Sequence, residues 1–104
     1  MIYNLNWIDE YWDMIPEKWW DFVAANPRKT VSYHTGLLEW VIYLQHSFQG
    51  SKIFTLSTVF AMYACKITSY KSYLYILRGL DEFGFIKIHC MDEGIMGYSL
   101  IEIL

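Results

Sequence analysis

Apolar positions recur at two different periods along this chain, and the places where the period changes mark its elements. From Val31 to Ser47 the residues Leu37, Trp40, Val41 and Leu44, with Phe48 just beyond, follow the 3.6-residue period of a helix. Thr30 or Ser32 is the expected N-cap, and Gly50 is the expected stop. Lys52–Leu56 is too short for a helix and reads as a minimal strand. Ser57 or Thr58 then caps a short helix running to Ala64, with Val59, Met62 and Tyr63 as its expected inner side. After the turn Lys66-Ile67-Thr68, Ser69 caps a further helix from Tyr70 to Phe83. Its apolar stripe is Tyr73, Ile76, Leu77 and Leu80. At about 100° per residue, Lys71, Tyr75 and Arg78 fall on the opposite side. Gly84 ends this helix. Two runs rich in apolar and β-branched residues follow, Phe85–His89 and Tyr98–Ile103, separated by the turn-forming Met91–Gly97. The expected class is α+β, mainly α.

Ahead of this series lies an aromatic arm bounded by Asn26-Pro27, where the residue before proline disfavours continued helix. Pro16 is the expected first position of a short helix, and Trp19, Phe22 and Val23 share one of its faces. So short a helix is marginal in isolation, so that face must dock. The chain therefore divides into an arm, residues 1–27, and a domain, residues 28–104. Trp7, Trp12, Trp19 and Trp20 exceed what one small core needs. They form an expected dimerisation surface, against the simpler reading that they pack on the protein's own second helix.

Composition narrows the function classes. The chain is 55% hydrophobic and 19% aromatic, which excludes disorder. No apolar run approaches the roughly 20 residues of a membrane span, and the first residues lack the pattern of a signal peptide. The expected location is cytoplasmic, with Cys65 and Cys90 as free thiols. Net charge is −3, against the usual profile of a nucleic-acid binder. That charge is unevenly placed. Residues 1–27 hold five acidic side chains and one basic, whereas residues 28–104 hold seven basic and six acidic. Between Lys66 and Arg78 lie three basic residues and no acidic one.

Enzymatic chemistry finds little support. His34 with Ser32 or Thr35 and Asp81 or Glu82 has no nucleophile elbow or oxyanion loop around it. Cys65, Cys90, His46 and His89 lack the short spacing of structural zinc ligands, and the glycines form no phosphate-cradling loop. Neither enzyme, metal nor cofactor is expected.

The segment Ile67-Thr68-Ser69-Tyr70-Lys71-Ser72-Tyr73, followed by Leu80-Asp81-Glu82-Phe83-Gly84-Phe85-Ile86-Lys87-Ile88, resembles the recognition helix and first wing strand of bacterial winged-helix proteins. Within that group it is most similar to the N-terminal domains of DnaD-like primosomal and replication-initiation proteins. The likeness extends over residues 28–104 in element order and is sharpest between Ile67 and Ile88. It implies a winged helix-turn-helix, a three-helix core plus a β-hairpin wing, carrying an extra N-terminal helical arm. It also implies a duplex-DNA binder in replication initiation or transcription control that self-associates as a homodimer and meets other replication proteins. The helix from Ser69 would enter the major groove. Ser69, Tyr70, Lys71, Ser72, Tyr75 and Arg78 are the contacts carried over, with Lys66 beside them and Lys87 on the hairpin. Hydroxyls and free N–H groups at a helix start suit phosphate.

A competing reading keeps the fold and makes it a protein-interaction module without DNA binding of its own. Asp92 and Glu93 on the hairpin favour that competitor, because acidic groups oppose phosphate. The chain ends at the second hairpin strand, so a fragment of a longer protein is also expected.

Overall fold

The computed structural model describes residues 14–92 and 94–104. Trp7, Trp12 and Glu93 lie outside the described residues. The described chain is α+β, about half helical, with four helices and one three-stranded antiparallel sheet. Helix α1 spans Glu17–Ala25, α2 Ser32–Ser47, α3 Thr58–Cys65 and α4 Tyr70–Glu82. Strand β1 spans Ile53–Ser57, β2 Ile86–Met91 and β3 Tyr98–Ile103.

Helix α1 begins one residue later than expected, with extended Pro16 as its N-cap and the Trp19 N–H bonding the Pro16 carbonyl at 2.9 Å. The docking face is the expected one. Trp19 is wholly buried, and Phe22 and Val23 pack against the core. The Trp19 ring meets Phe85 edge-on at 5.0 Å, Phe22 meets Phe83 at 4.7 Å, and Trp19 Nε1 donates to Thr35 Oγ1 at 3.0 Å. These contacts correct one expectation. Trp19 is a core residue, out of reach of a partner subunit, and the indole N–H is already satisfied within the chain. Trp20 is half-buried against the same core.

Helix α2 is central, packed on α3, α4 and β1. Its N-cap is neither Thr30 nor Ser32 but Val31, which has no side-chain acceptor. His34 serves instead: its Nδ1 accepts the Val31 N–H at 3.0 Å while its own N–H bonds the Val31 carbonyl at 2.9 Å. The buried face is wider than the expected stripe, taking in Leu38 and Ile42 as well as Leu37, Trp40 and Val41, because neighbours cover α2 from more than one side.

In α3 the Ser57 hydroxyl accepts the Phe60 N–H at 3.5 Å. Thr58, Ala61, Met62 and Ala64 are buried, while Tyr63, expected inside, is exposed. In α4 the expected stripe is the buried one: Tyr73, Ile76, Leu77 and Leu80, with Gly79 between them. The Ser69 hydroxyl accepts the Ser72 N–H at 3.2 Å and caps the helix. At the other end Gly84, at φ +88°, places its N–H on Asp81 O at 3.0 Å, and the Phe85 N–H reaches Leu80 O at 3.0 Å. Leu80-Asp81-Glu82-Phe83-Gly84-Phe85 is thus one helix-closing unit, with buried Leu80 and Phe85 as its apolar clasp. Asp81 Oδ2 then accepts the Ile88 N–H at 2.8 Å, which fixes the departing strand to the helix end.

The sheet order is β1-β3-β2, so the last strand is the middle one. Phe54 pairs with Ile101, Leu56 with Ser99 and Ile86 with Ile103. Phe54, Leu56, Ile86 and Ile101 face the helices. A bulge at His89 shifts the register between Ile88 and Cys90.

Candidate functional site

The exposed side of α4 carries Lys71, Tyr75 and Arg78, spaced four and three residues apart and therefore in one row. A second basic pair stands opposite them. After α1, the Asn26 side chain bonds the Phe22 carbonyl at 3.0 Å, Asn26 O receives the Lys29 N–H at 3.0 Å, and the chain turns so that Arg28 and Lys29 overlook α4. Between the two segments lies a cleft of about 770 Å³, walled by Arg28, Lys29, Lys71, Tyr75 and Arg78, with Glu82 its one acidic residue. His34, Gly79, Leu74, Phe22 and Phe83 line its deeper parts.

On the other side of Lys71 and Tyr75 is a second cleft of about 520 Å³. Val31 and Tyr33 border it from the start of α2, and Lys66, Ile67, Thr68, Ser69, Ser72 and Ile76 from the α3–α4 turn and α4. Lys71 and Tyr75 line both spaces. Among the described residues none of Arg28, Lys29, Lys66, Lys71 and Arg78 forms an ion pair. Five cations spread over these two adjoining clefts, none of them ion-paired among the described residues, attract a polyanion.

His34 sits beneath this face. Because Nδ1 accepts a hydrogen bond, the ring is neutral with its proton on Nε2, and that nitrogen is buried with no hydrogen-bond partner. Burial lowers its pKa from the ordinary value of 6.5. Its ring fits only because position 79 is glycine: a Cβ there would lie 2.7 Å from His34 Nε2.

The expected contacts divide. Lys66, Lys71, Ser72, Tyr75 and Arg78 are exposed and line one or both clefts. Ser69 lines the smaller cleft, but its oxygen is occupied by the capping bond. Tyr70 is half-buried and turned toward the hairpin, its hydroxyl accepting the Gly94 N–H at 2.9 Å. Lys87 lines neither cleft and stands in register with Glu102 on β3. On that strand pair His89 Nε2 and Glu102 Oε1 are 2.7 Å apart, with Lys52 Nζ 3.6 Å from Oε2. The His89 hydrogen bond, helped by the Lys52 charge, holds the Glu102 carboxyl below its usual range. His89 on the hairpin and Lys52 ahead of β1 thus already face a carboxylate. Burial, reinforced by the Glu39 charge, pushes the Cys65 thiol up to about 12.

No family model, curated protein or solved structure matches this chain.

Sequence pattern alone does not mark Arg28, Lys29, Tyr33 and His34 as members of this site. The Arg28-Lys29 pair after Pro27 is a visible signal of a cationic turn. Its meeting with α4 depends on how α1 and α2 are folded back, which local pattern does not encode.

Proposed function

We propose that this is a winged-helix protein that binds duplex DNA through α4, in replication initiation or transcription control. The element order from α2 onward, helix, strand, helix, helix, strand, strand, together with the sheet order β1-β3-β2, supports the winged-helix reading. The observation that carries the DNA reading is the convergence of Arg28 and Lys29 with Lys71 and Arg78 around one cleft, none of them ion-paired among the described residues. The likeness of Ile67–Ile88 to DnaD-like domains points the same way, and self-association as a homodimer belongs to the same proposal.

Anisotropy with a random duplex tests it. Binding weakens steeply with salt, with a log–log slope of about −4.5 if all five cations meet phosphates. Lys71→Glu with Arg78→Glu abolishes binding, Arg28→Glu with Lys29→Glu does the same, and Lys87→Glu has little effect. Absence of binding at low salt ends the proposal.

A protein-interaction module is the second reading, favoured by one feature. Ile95, Met96, Tyr98 and Leu100 leave large apolar side chains exposed on the hairpin, beside the acidic Asp92. In that case the Lys71 and Arg78 changes leave partner binding untouched, and Met96→Asp with Leu100→Asp abolishes it.

A further inference from the structure

We infer that the smaller cleft, between the start of α2 and α4, receives an unpaired nucleobase, so that this face also holds single-stranded DNA. The inference rests on the nucleic-acid reading of the basic cleft next to it. Val31, Ile67 and Ile76 give the cleft apolar walls, and Tyr33 and Tyr75 stand on it with 47% and 65% of their surface in water. Rings so exposed contribute little to the core of this protein and offer flat faces to a ligand. Paired bases in a duplex bury their faces against one another and show only their edges in the grooves. A concave apolar cavity is therefore poorly matched to a duplex and well matched to a base whose faces are free.

The neighbouring charge identifies the occupant. An apolar peptide side chain would satisfy this cleft but leave Arg28, Lys29 and Arg78 next door without a counter-charge. A nucleic-acid strand supplies both parts in each repeat, an apolar disc and an anion. Lys71 and Tyr75 line both spaces, so a base on one side of them and a phosphate on the other belong to one strand. Thr68 and Ser72 hydroxyls at the cleft are available for a base edge.

The test compares three labelled probes by anisotropy at one salt concentration: a short oligothymidylate, an abasic strand of equal length and charge, and a blunt duplex. The oligothymidylate binds at least roughly fivefold more tightly than the abasic strand. Tyr33→Ala with Tyr75→Ala brings the two single strands to parity, and Tyr33→Ala alone, at a residue that lines only the smaller cleft, narrows the gap between them while changing duplex affinity by less than about twofold, since stacking and phosphate contact are separate contributions. Tyr75→Phe, which keeps the ring, preserves the discrimination. Equal binding of oligothymidylate and abasic strand overturns the inference and leaves duplex binding standing. Discrimination that survives the double tyrosine change also overturns it. Discrimination without duplex binding supports this inference and removes the duplex part of the proposed function. Failure of all three probes to bind ends both.

Discussion

His34 holds three relationships at once, and each can be measured. Its Nδ1 closes the start of α2, its ring lies on Gly79 of α4, and its Nε2 proton is buried without a partner. Glycine inside a helix ordinarily costs about 0.5–1 kcal/mol relative to alanine. Here the contact outweighs that propensity, because a Cβ would meet Nε2 at 2.7 Å and the ring is pinned by the Val31 N–H. Gly79→Ala therefore lowers stability by about 1–3 kcal/mol in urea titrations. Made in a His34→Ala background, the same change raises stability by the helix increment. A stabilising Gly79→Ala in the natural background would contradict the contact.

The second residue-scale prediction concerns pH. The folded state holds His34 neutral, so its pKa lies below 6.5, whereas the unfolded chain protonates near that value. Below pH 6.5 the unfolded state binds the additional proton, and stability falls with pH until the folded pKa is passed. The urea midpoint thus drops from about pH 7.5 to about pH 5.5, and the drop shrinks in His34→Gln. An identical drop in both proteins refutes the assignment. The Glu102 contribution occupies a different window. Its carboxyl is held below the ordinary 4.5, so that stability is present above this value and lost as pH falls through the lowered pKa.

At the scale of elements, α2, α3 and α4 close in the same way, but only one uses glycine at the left-handed position. Gln49 at φ +59° ends α2, Lys66 at +58° ends α3, and Gly84 at +88° ends α4. In each case the next residue's N–H reaches back five residues: Gly50 to Gln45 at 2.8 Å, Ile67 to Met62 at 2.9 Å, Phe85 to Leu80 at 3.0 Å. The glycine signal at Gly50 thus located the end of α2 to within one residue, while the left-handed residue directly after the C-cap is Gln49. A side chain in this conformation costs about 1–2 kcal/mol, against about 0.4–1 kcal/mol for the extra freedom glycine has when unfolded. Gln49→Gly is expected to stabilise the protein by about 0.5–1 kcal/mol. A lower thermal midpoint in that variant would show that the Gln49 side chain contributes something beyond its backbone. The α4–β2 junction was legible for a physical reason: Leu80, Gly84 and Phe85 each hold a local position that a helix-closing turn requires.

For the whole molecule, α1 is structurally part of the core that the α2–β3 segment builds. Trp19 fills a space bordered by Phe22, Phe85 and Thr35, and Lys18 Nζ reaches the carbonyl of Leu104 at 3.1 Å. Trp19→Ala is expected to cost about 3–5 kcal/mol, a large share of the net stability of a small domain. Urea unfolding followed by far-UV circular dichroism measures this. A loss under about 1 kcal/mol would mean that the cavity collapses freely and that α1 is dispensable. The aromatic excess that reads as a dimerisation surface is, at Trp19, the filling of the protein's own interior. Composition cannot separate those outcomes, since both bury the same ring.

Local periodicity was enough to set the elements in order, the inward stripe of α4 and the outward row of Lys71, Tyr75 and Arg78, because neighbours three and four residues apart share a helix face whatever surrounds them. Tertiary structure alone decided that β3 lies between β1 and β2, that Trp19 is enclosed, and that Arg28, Lys29 and Tyr33 join α4 around two adjoining clefts. Those outcomes arise from contacts between residues far apart along the chain, whose pairing is selected by shape and burial in the assembled core and leaves no repeat in the order of amino acids.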